Sequence, residues 1–218
     1  VNRWFLAGVL FAGSVASKLI PLIFLPFILM KVKGKSSLKF LTSLTLTTLV
    51  LFTPLLDQSF FVGMTNSLTL YYQKLEFNGG IYFVIREIGY WFKGYNIIAT
   101  SGKFLAISAT LGILIYSYLA AKKEVPIFKS LNWIMLIFAA TSLILHPWYI
   151  TLLIFFSVFT GYVFPIVWSY LIFLTYAGYN ELGYVETPGI FIAEYTLVFL
   201  AIVWDLYREK TSLHKNLA

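Results

Sequence analysis

Over residues 4–30 the chain carries a single charge, Lys18, and comparable apolar stretches recur as far as Trp204. A helix that is apolar on every face cannot hide itself in a water-soluble fold of this size, whereas hydrocarbon solvates it directly. A bilayer core about 30 Å thick asks for about 20 apolar residues per helix, and that ruler gives about seven segments. They fall at residues 4–30, 38–56, 98–120, 131–145, 148–160, 163–177 and 190–204. The expectation is all-α: a polytopic transmembrane helical bundle that forms a single domain over residues 1–218.

Composition agrees with lipid as the solvent. The chain is 60% hydrophobic and 11% charged, against about 25% charged in an ordinary soluble domain. The net charge of +7 comes from clusters beside the apolar runs: Lys31/Lys33/Lys35/Lys39, Lys122/Lys123/Lys129 and Arg208/Lys210/Lys215. Such clusters mark cytoplasmic membrane loops and point away from a nucleic-acid partner. With no cysteine, a disulfide framework and a thiolate metal site are both excluded.

Parity then sets the expected topology. Two segments separate the first two clusters, which returns the chain to one side. Residues 148–177 do the same for the third cluster if they form a hairpin turning at Gly161–Tyr162. Two of its consequences concern function. The first segment, interrupted by Gly13, Ser14, Ser17, Lys18 and Pro21, is expected to kink or break near Ser17–Pro21, because proline lacks an amide hydrogen and clashes with the preceding turn. A break sets Lys18 at the outer face; an unbroken helix buries it. The non-cytoplasmic side receives residues 57–96, the His146-Pro147-Trp148-Tyr149 corner and residues 178–189. Within the first of these, Ile81, Val84, Ile85, Ile88, Trp91 and Phe92 recur at spacings of three and four opposite Arg86, Glu87 and Lys93, the pattern of an amphipathic helix lying in the interface.

Nucleotide-binding glycine loops, metal-ligand spacings and a Gly-x-Ser-x-Gly elbow are missing from the sequence. The chemistry-bearing residues are few. Lys18 is a cation in an apolar run, suited to an anionic headgroup or phosphate, or simply to snorkelling. Glu76, Asn78 and Arg86 combine carboxylate, amide and guanidinium around Gly79-Gly80. Carboxylates and amides suit sugar hydroxyls and Arg suits phosphate; a turn leading into a salt-bridged helix accounts for them equally well. His146 either bonds a phosphate or hydroxyl or caps a helix end. Glu194 and Asp57 either bind a metal or act as a base, or are simply solvated, the ordinary state of an acidic residue near the interface.

Several strings resemble bacterial GT-C mannosyltransferases and related polyprenol-phosphate-sugar transferases. Leu6-Ala7-Gly8 through Lys18-Leu19-Ile20-Pro21-Leu22 and Leu25-Pro26 resembles their Lys-x-x-Pro helix, and Glu76-Phe77-Asn78-Gly79-Gly80-Ile81-Tyr82 is similar to one of their loops. His146-Pro147-Trp148-Tyr149, Phe164-Pro165 and Trp168-Ser169 look like their penultimate helices. The resemblance implies transfer of a sugar, usually mannose, from a polyprenyl-phosphate carrier to a glycan, lipid or protein acceptor on the non-cytoplasmic side of a bacterial plasma membrane. It assigns substrate binding to Lys18, Glu76, Asn78, Arg86 and His146, with Lys18, Arg86 and His146 on phosphate. It calls for no cofactor, and a divalent metal is left open. The family's catalytic Asp or Glu follows its first transmembrane helix, and nothing before Trp4 supplies it, so the expectation is a C-terminal part lacking the catalytic residue. A flippase for lipid-linked glycans and a non-catalytic membrane subunit are the alternatives.

Overall fold

The computed structural model describes residues 3–181 and 183–215, with side chains as far as residue 211; Lys215 of the third basic cluster lies outside the described side chains. Ten α-helices account for most of it. They are α1 (Arg3–Ser17), α2 (Leu25–Lys31), α3 (Lys35–Phe52), α4 (Gln58–Gln73), α5 (Gly80–Lys93), α6 (Ile98–Lys122), α7 (Ile127–Thr141), α8 (Pro147–Thr160), α9 (Phe164–Leu171) and α10 (Pro188–Lys215). A short antiparallel ribbon, β1 (Tyr179–Asn180) with β2 (Gly183–Tyr184), precedes α10. Three of the helical stretches are long and apolar enough to cross a membrane: Lys35–Leu55, Ile98–Lys122 and Pro188–Thr211. The remaining apolar helices are shorter.

Burial follows the logic of an apolar solvent. Val50, Phe104 and Phe199 are more than 60% exposed, while Ser117, Ser130, Asn132 and Glu194 are sealed between helices. Water would favour the reverse placement. The apolar residues that are buried, among them Phe27, Ile134, Met135, Leu153, Phe164 and Trp168, form the main core between α2, α6, α7, α8, α9 and α10.

The breaks expected from proline and glycine occur where expected. Helix α1 stops at Ser17, a 3-10 turn runs Ile20–Phe24 with Pro21 in its first turn, and α2 follows. Gly161, with φ at +68°, ends α8 in the left-handed conformation, and its amide donates to Ser157 O at 2.8 Å. Other boundaries differ. The segment expected over 131–145 leaves its helix at Thr141, because Phe77 N donates to Leu143 O and Leu145 N to Phe77 O, at 2.9 and 2.8 Å. The next residues lead to His146, held extended before Pro147. The last segment, expected to end near Trp204, continues as helix through the third basic cluster. Residues 57–96 were expected to hold one helix and hold two, since Asp57 caps α4 by accepting from Phe60 N at 2.8 Å.

The bundle has two chemically distinct ends. At one, Lys31 donates to Val125 O at 3.4 Å, Lys129 pairs with Glu209 at 2.6 Å, and Arg208 donates to Asp205 Oδ1 at 3.3 Å. One member of each basic cluster therefore meets the same end. Asp205, almost fully buried, accepts from Val163 N and Phe164 N at 2.7 and 2.9 Å, closing the open start of α9. The opposite end carries Glu76, Arg86, His146 and Glu186, and the candidate site lies there.

Candidate functional site

A glycine pair lets the chain between α4 and α5 sit flat on the end of α7. A Cβ on Gly79 would lie 2.8 Å from Leu143 O, and one on Gly80 the same distance from Ala140 O, closer than any larger residue allows. Asn78, at φ +49°, makes the turn and points its amide inward. Its Nδ2 donates to Glu194 Oε1 and Oε2 at 3.0 and 3.2 Å. Trp168 Nε1 donates to Glu194 Oε1 at 2.9 Å and Thr175 Oγ1 to Oε2 at 3.2 Å. Beside it Tyr195 OH donates to Asn78 O at 2.8 Å and accepts from Gly80 N at 3.1 Å. Glu194 is thus fully buried rather than solvated, and α10 grips the Asn78 turn through it.

Arg86 is the hub of the surface layer. Its side chain is only 12% exposed and meets Glu76 at 3.0 Å, Glu87 at 3.0 Å and Glu186 at 2.5 Å. Glu76 also accepts from Asn96 Nδ2 at 3.0 Å and from Tyr82 OH. Burial, reinforced by Glu186, pushes the neighbouring Tyr184 phenol up to about 12. Three carboxylates facing one guanidinium leave the cluster net negative. On α5 most of the apolar residues picked out by spacing are exposed, Trp91 and Phe92 to about 80%, while Tyr82, Phe83 and Gly89 are buried, Arg86 is half-buried, and Glu87 and Lys93 are exposed.

Next to this cluster runs a stack of rings. Phe77 stacks on His146 with centroids 4.5 Å apart, and His146 on Trp148 at 4.2 Å. His146 stands at the start of α8, not at the end of a preceding helix, and makes no side-chain cap there. Its Nδ1 is buried without a partner, and burial holds its pKa below the usual 6.5. The far side of the stack reaches Tyr149, whose centroid lies 6.4 Å from that of His146 and 6.3 Å from that of Trp148.

Tyr149 connects the stack to a cavity of about 670 Å³. Aliphatic side chains of the 3-10 turn, α4 and α6 line most of it, and Lys18, Ser67, Tyr71, Tyr72, Thr110 and Tyr149 supply its polar part. Lys18 Nζ lies 4.5 Å from the Tyr149 ring centroid, a cation–π contact. Tyr71 OH and Tyr149 OH share a hydrogen bond of 2.8 Å, which ties α4 across to α8. Among the described residues no carboxylate pairs with Lys18.

The five site residues read from the sequence therefore gather at one end, in two separate settings. Lys18 and His146 are joined through Tyr149. Glu76 and Arg86 are joined to each other, and Asn78 is turned away to Glu194. Sequence reasoning missed Tyr71, Tyr149 and Trp168 as polar partners; the interfacial tyrosines were visible, their mates on other helices were not. Among the described residues no three His, Asp or Glu side chains come together in a way that could hold a metal ion. No family model, curated protein or solved structure matches the chain.

Proposed function

We propose that the chain is the lipid-binding part of a membrane glycosyltransferase of the GT-C kind, which takes a sugar from a polyprenyl-phosphate carrier. The observation that carries this reading is the cavity itself: apolar walls among membrane-depth helices, headed by one lysine without a carboxylate partner. An isoprenoid chain matches the walls, and a phosphate matches an unpaired ammonium among tyrosine hydroxyls. The strings that resemble those of the polyprenol-phosphate-sugar transferases lie on the same elements: Lys18-Leu19-Ile20 lines the cavity, and His146-Pro147-Trp148-Tyr149 reaches it through Tyr149. In this reading the helices cross a bacterial plasma membrane as a polytopic bundle, and the Lys129–Glu209 end faces the cytoplasm. The Arg86 end faces outward, with α5 resting in the interface on Trp91 and Phe92.

A flippase is the second reading, favoured by the broken helix at residues 17–25 beside the cavity, since transporters build their sites on discontinuous helices. Binding in nanodiscs tests the first. The unsubstituted chain should hold a short polyprenyl phosphate and reject the same polyprenol without phosphate. Lys18→Ala should weaken the phosphate lipid roughly ten- to two-hundred-fold, the worth of one charged hydrogen bond of about 1.5–3 kcal/mol. Undiminished affinity in Lys18→Ala removes the proposal, and net movement of the lipid between leaflets by this chain favours the flippase.

A further inference from the structure

We infer that α4 is a hinged wall through which the lipid enters the cavity sideways, latched shut by the hydrogen bond between Tyr71 and Tyr149; the inference rests on the lipid-binding reading above and deepens it by naming the entrance. The walls of the cavity are held with unequal strength. The 3-10 turn, α6 and α8 contribute Ile23, Ile113 and Tyr149, which belong to the main core or pack against it. Helix α4 contributes Met64, Leu68 and Tyr71, and none of its residues is buried. Each of the other nine α-helices has at least one buried residue, so among the described residues α4 stands alone in this.

Hydrocarbon tolerates an exposed apolar helix but does not fix where it rests, and an element with few buried contacts opens at a fraction of the free energy that unfolds the core. What fixes α4 is concentrated at its C-terminal end. There the Tyr72 carbonyl lies so near Gly102 that a Cβ would stand 1.9 Å from it, and the amides of Lys74 and Leu75 donate to Leu70 O at 3.1 and 3.0 Å. The other end leaves α3 through a 3-10 turn at Thr53–Leu55 and restarts at the Asp57 cap, with Phe60 edge-on to Phe52 at 6.4 Å. No continuous helix stiffens that break. Among the described residues, the one side-chain hydrogen bond from α4 to another helix is Tyr71 OH with Tyr149 OH at 2.8 Å. It spans the cavity at its polar end, beside the Lys18 ammonium that lies over the same Tyr149 ring. A chain-like ligand enters by parting the weakest wall, and the Tyr71 bond sets how often that wall parts.

The chain has no cysteine, so spin labels can be placed singly. A pair at Asn66→Cys on α4 and Val158→Cys on α8, both exposed positions, reports the wall, and a pair at Ile107→Cys on α6 and Val158→Cys reports the core. Distances are read by double electron–electron resonance in nanodiscs without polyprenyl phosphate. Tyr71→Phe and Tyr149→Phe remove the same hydrogen bond, so each should raise the weight of the longer α4–α8 distances about fivefold, the equivalent of about 1 kcal/mol. The double substitution should add little to either, and the α6–α8 distance should not change. Unaltered α4–α8 distances in both variants overturn the inference, and so does an equal shift in the α6–α8 pair, which marks a general loosening of the bundle. Capture of a short polyprenyl phosphate should quicken by the same factor in Tyr71→Phe, because entry waits on opening; capture at the parental rate overturns α4 as the entrance. Distances that shift in a chain that captures no lipid support the hinged wall and remove the lipid-binding reading, whereas capture with fixed distances supports that reading and removes the wall.

Discussion

Replacing Glu194 by leucine tests how the site is held together. The carboxylate receives hydrogens from Asn78, Trp168 and Thr175 and is fully buried. Thr175 can rotate its hydroxyl toward another acceptor, but the indole N–H and the amide NH₂ are obligate donors. Leucine leaves both buried without acceptors, each at about 1–3 kcal/mol, so the loss is about 2–6 kcal/mol. Glu194→Gln keeps one oxygen for Trp168 and turns its own amide toward Thr175, forfeiting mainly one Asn78 contact, about 1 kcal/mol. Thermal unfolding in detergent, followed by tryptophan fluorescence, gives the comparison. At about 2–4 °C per kcal/mol for a chain of this length, leucine should lower the midpoint by about 4 °C or more and glutamine by about half that. The leucine protein should also expose the Asn78 turn to protease, because Asn78 is the link between that turn and α10. A leucine variant melting within about 1 °C of the parent would refute the reasoning, since the buried donors would then have found other partners at no cost.

Two further outcomes follow from geometry. A Cβ on Gly102 would lie 1.9 Å from the Tyr72 carbonyl oxygen, so Gly102→Ala should push the end of α4 away from α6, break the Tyr71–Tyr149 bond and cost about 1–3 kcal/mol in the same unfolding assay; an unchanged midpoint would show that α4 does not rest there. Burial holds His146 below 6.5, so the unfolded chain binds the proton more readily and stability is full above about pH 6.5, falling as pH drops toward the folded value. His146→Phe, which keeps the stack, should flatten the fall in melting point between about pH 7 and about pH 5, and an unaltered pH profile would assign the slope to another group.

What the sequence revealed was what local chemistry decides. Pro21 and Gly161 act on their own backbone, and the break after Ser17 and the turn after Thr160 appear at both. The Asp57 cap was equally local, with a serine two residues on, but the apolar residues after it carry no charged face to give the helix a period, and α4 passed for loop. The end of α7 was out of reach for a different reason. Residues 142–145 leave the helix because Phe77, far away in the chain, takes up their backbone groups. Glu194 shows the same limit: its donors lie at positions 78, 168 and 175, and nothing near Glu194 in sequence announces them.

Amphipathicity was legible in α5, but its sign is a property of the solvent. Two faces were evident from spacing; which one turns inward depends on whether water or hydrocarbon surrounds the rest. The structure half-buries Arg86 against Glu76 and Glu186, leaves Glu87 and Trp91 exposed, and each charged group buried in the bundle is likewise paired. Glu194 has four donated hydrogen bonds, Asp205 has two backbone amides and Arg208, and Glu209 has Lys129 and Tyr162. Internal pairing of this kind is what lets a chain carry charge among apolar helices, because an unpaired charge at depth costs at least about 2.5–3.5 kcal/mol. Lys18 is exposed and so stands outside this rule: it lines the cavity, its ammonium rests on an aromatic face, and among the described residues no carboxylate reaches it. On the proposed reading the phosphate of a lipid supplies the partner that Lys18 lacks, and that is why the substitution at Lys18, more than any in the carboxylate cluster, tests what this protein binds.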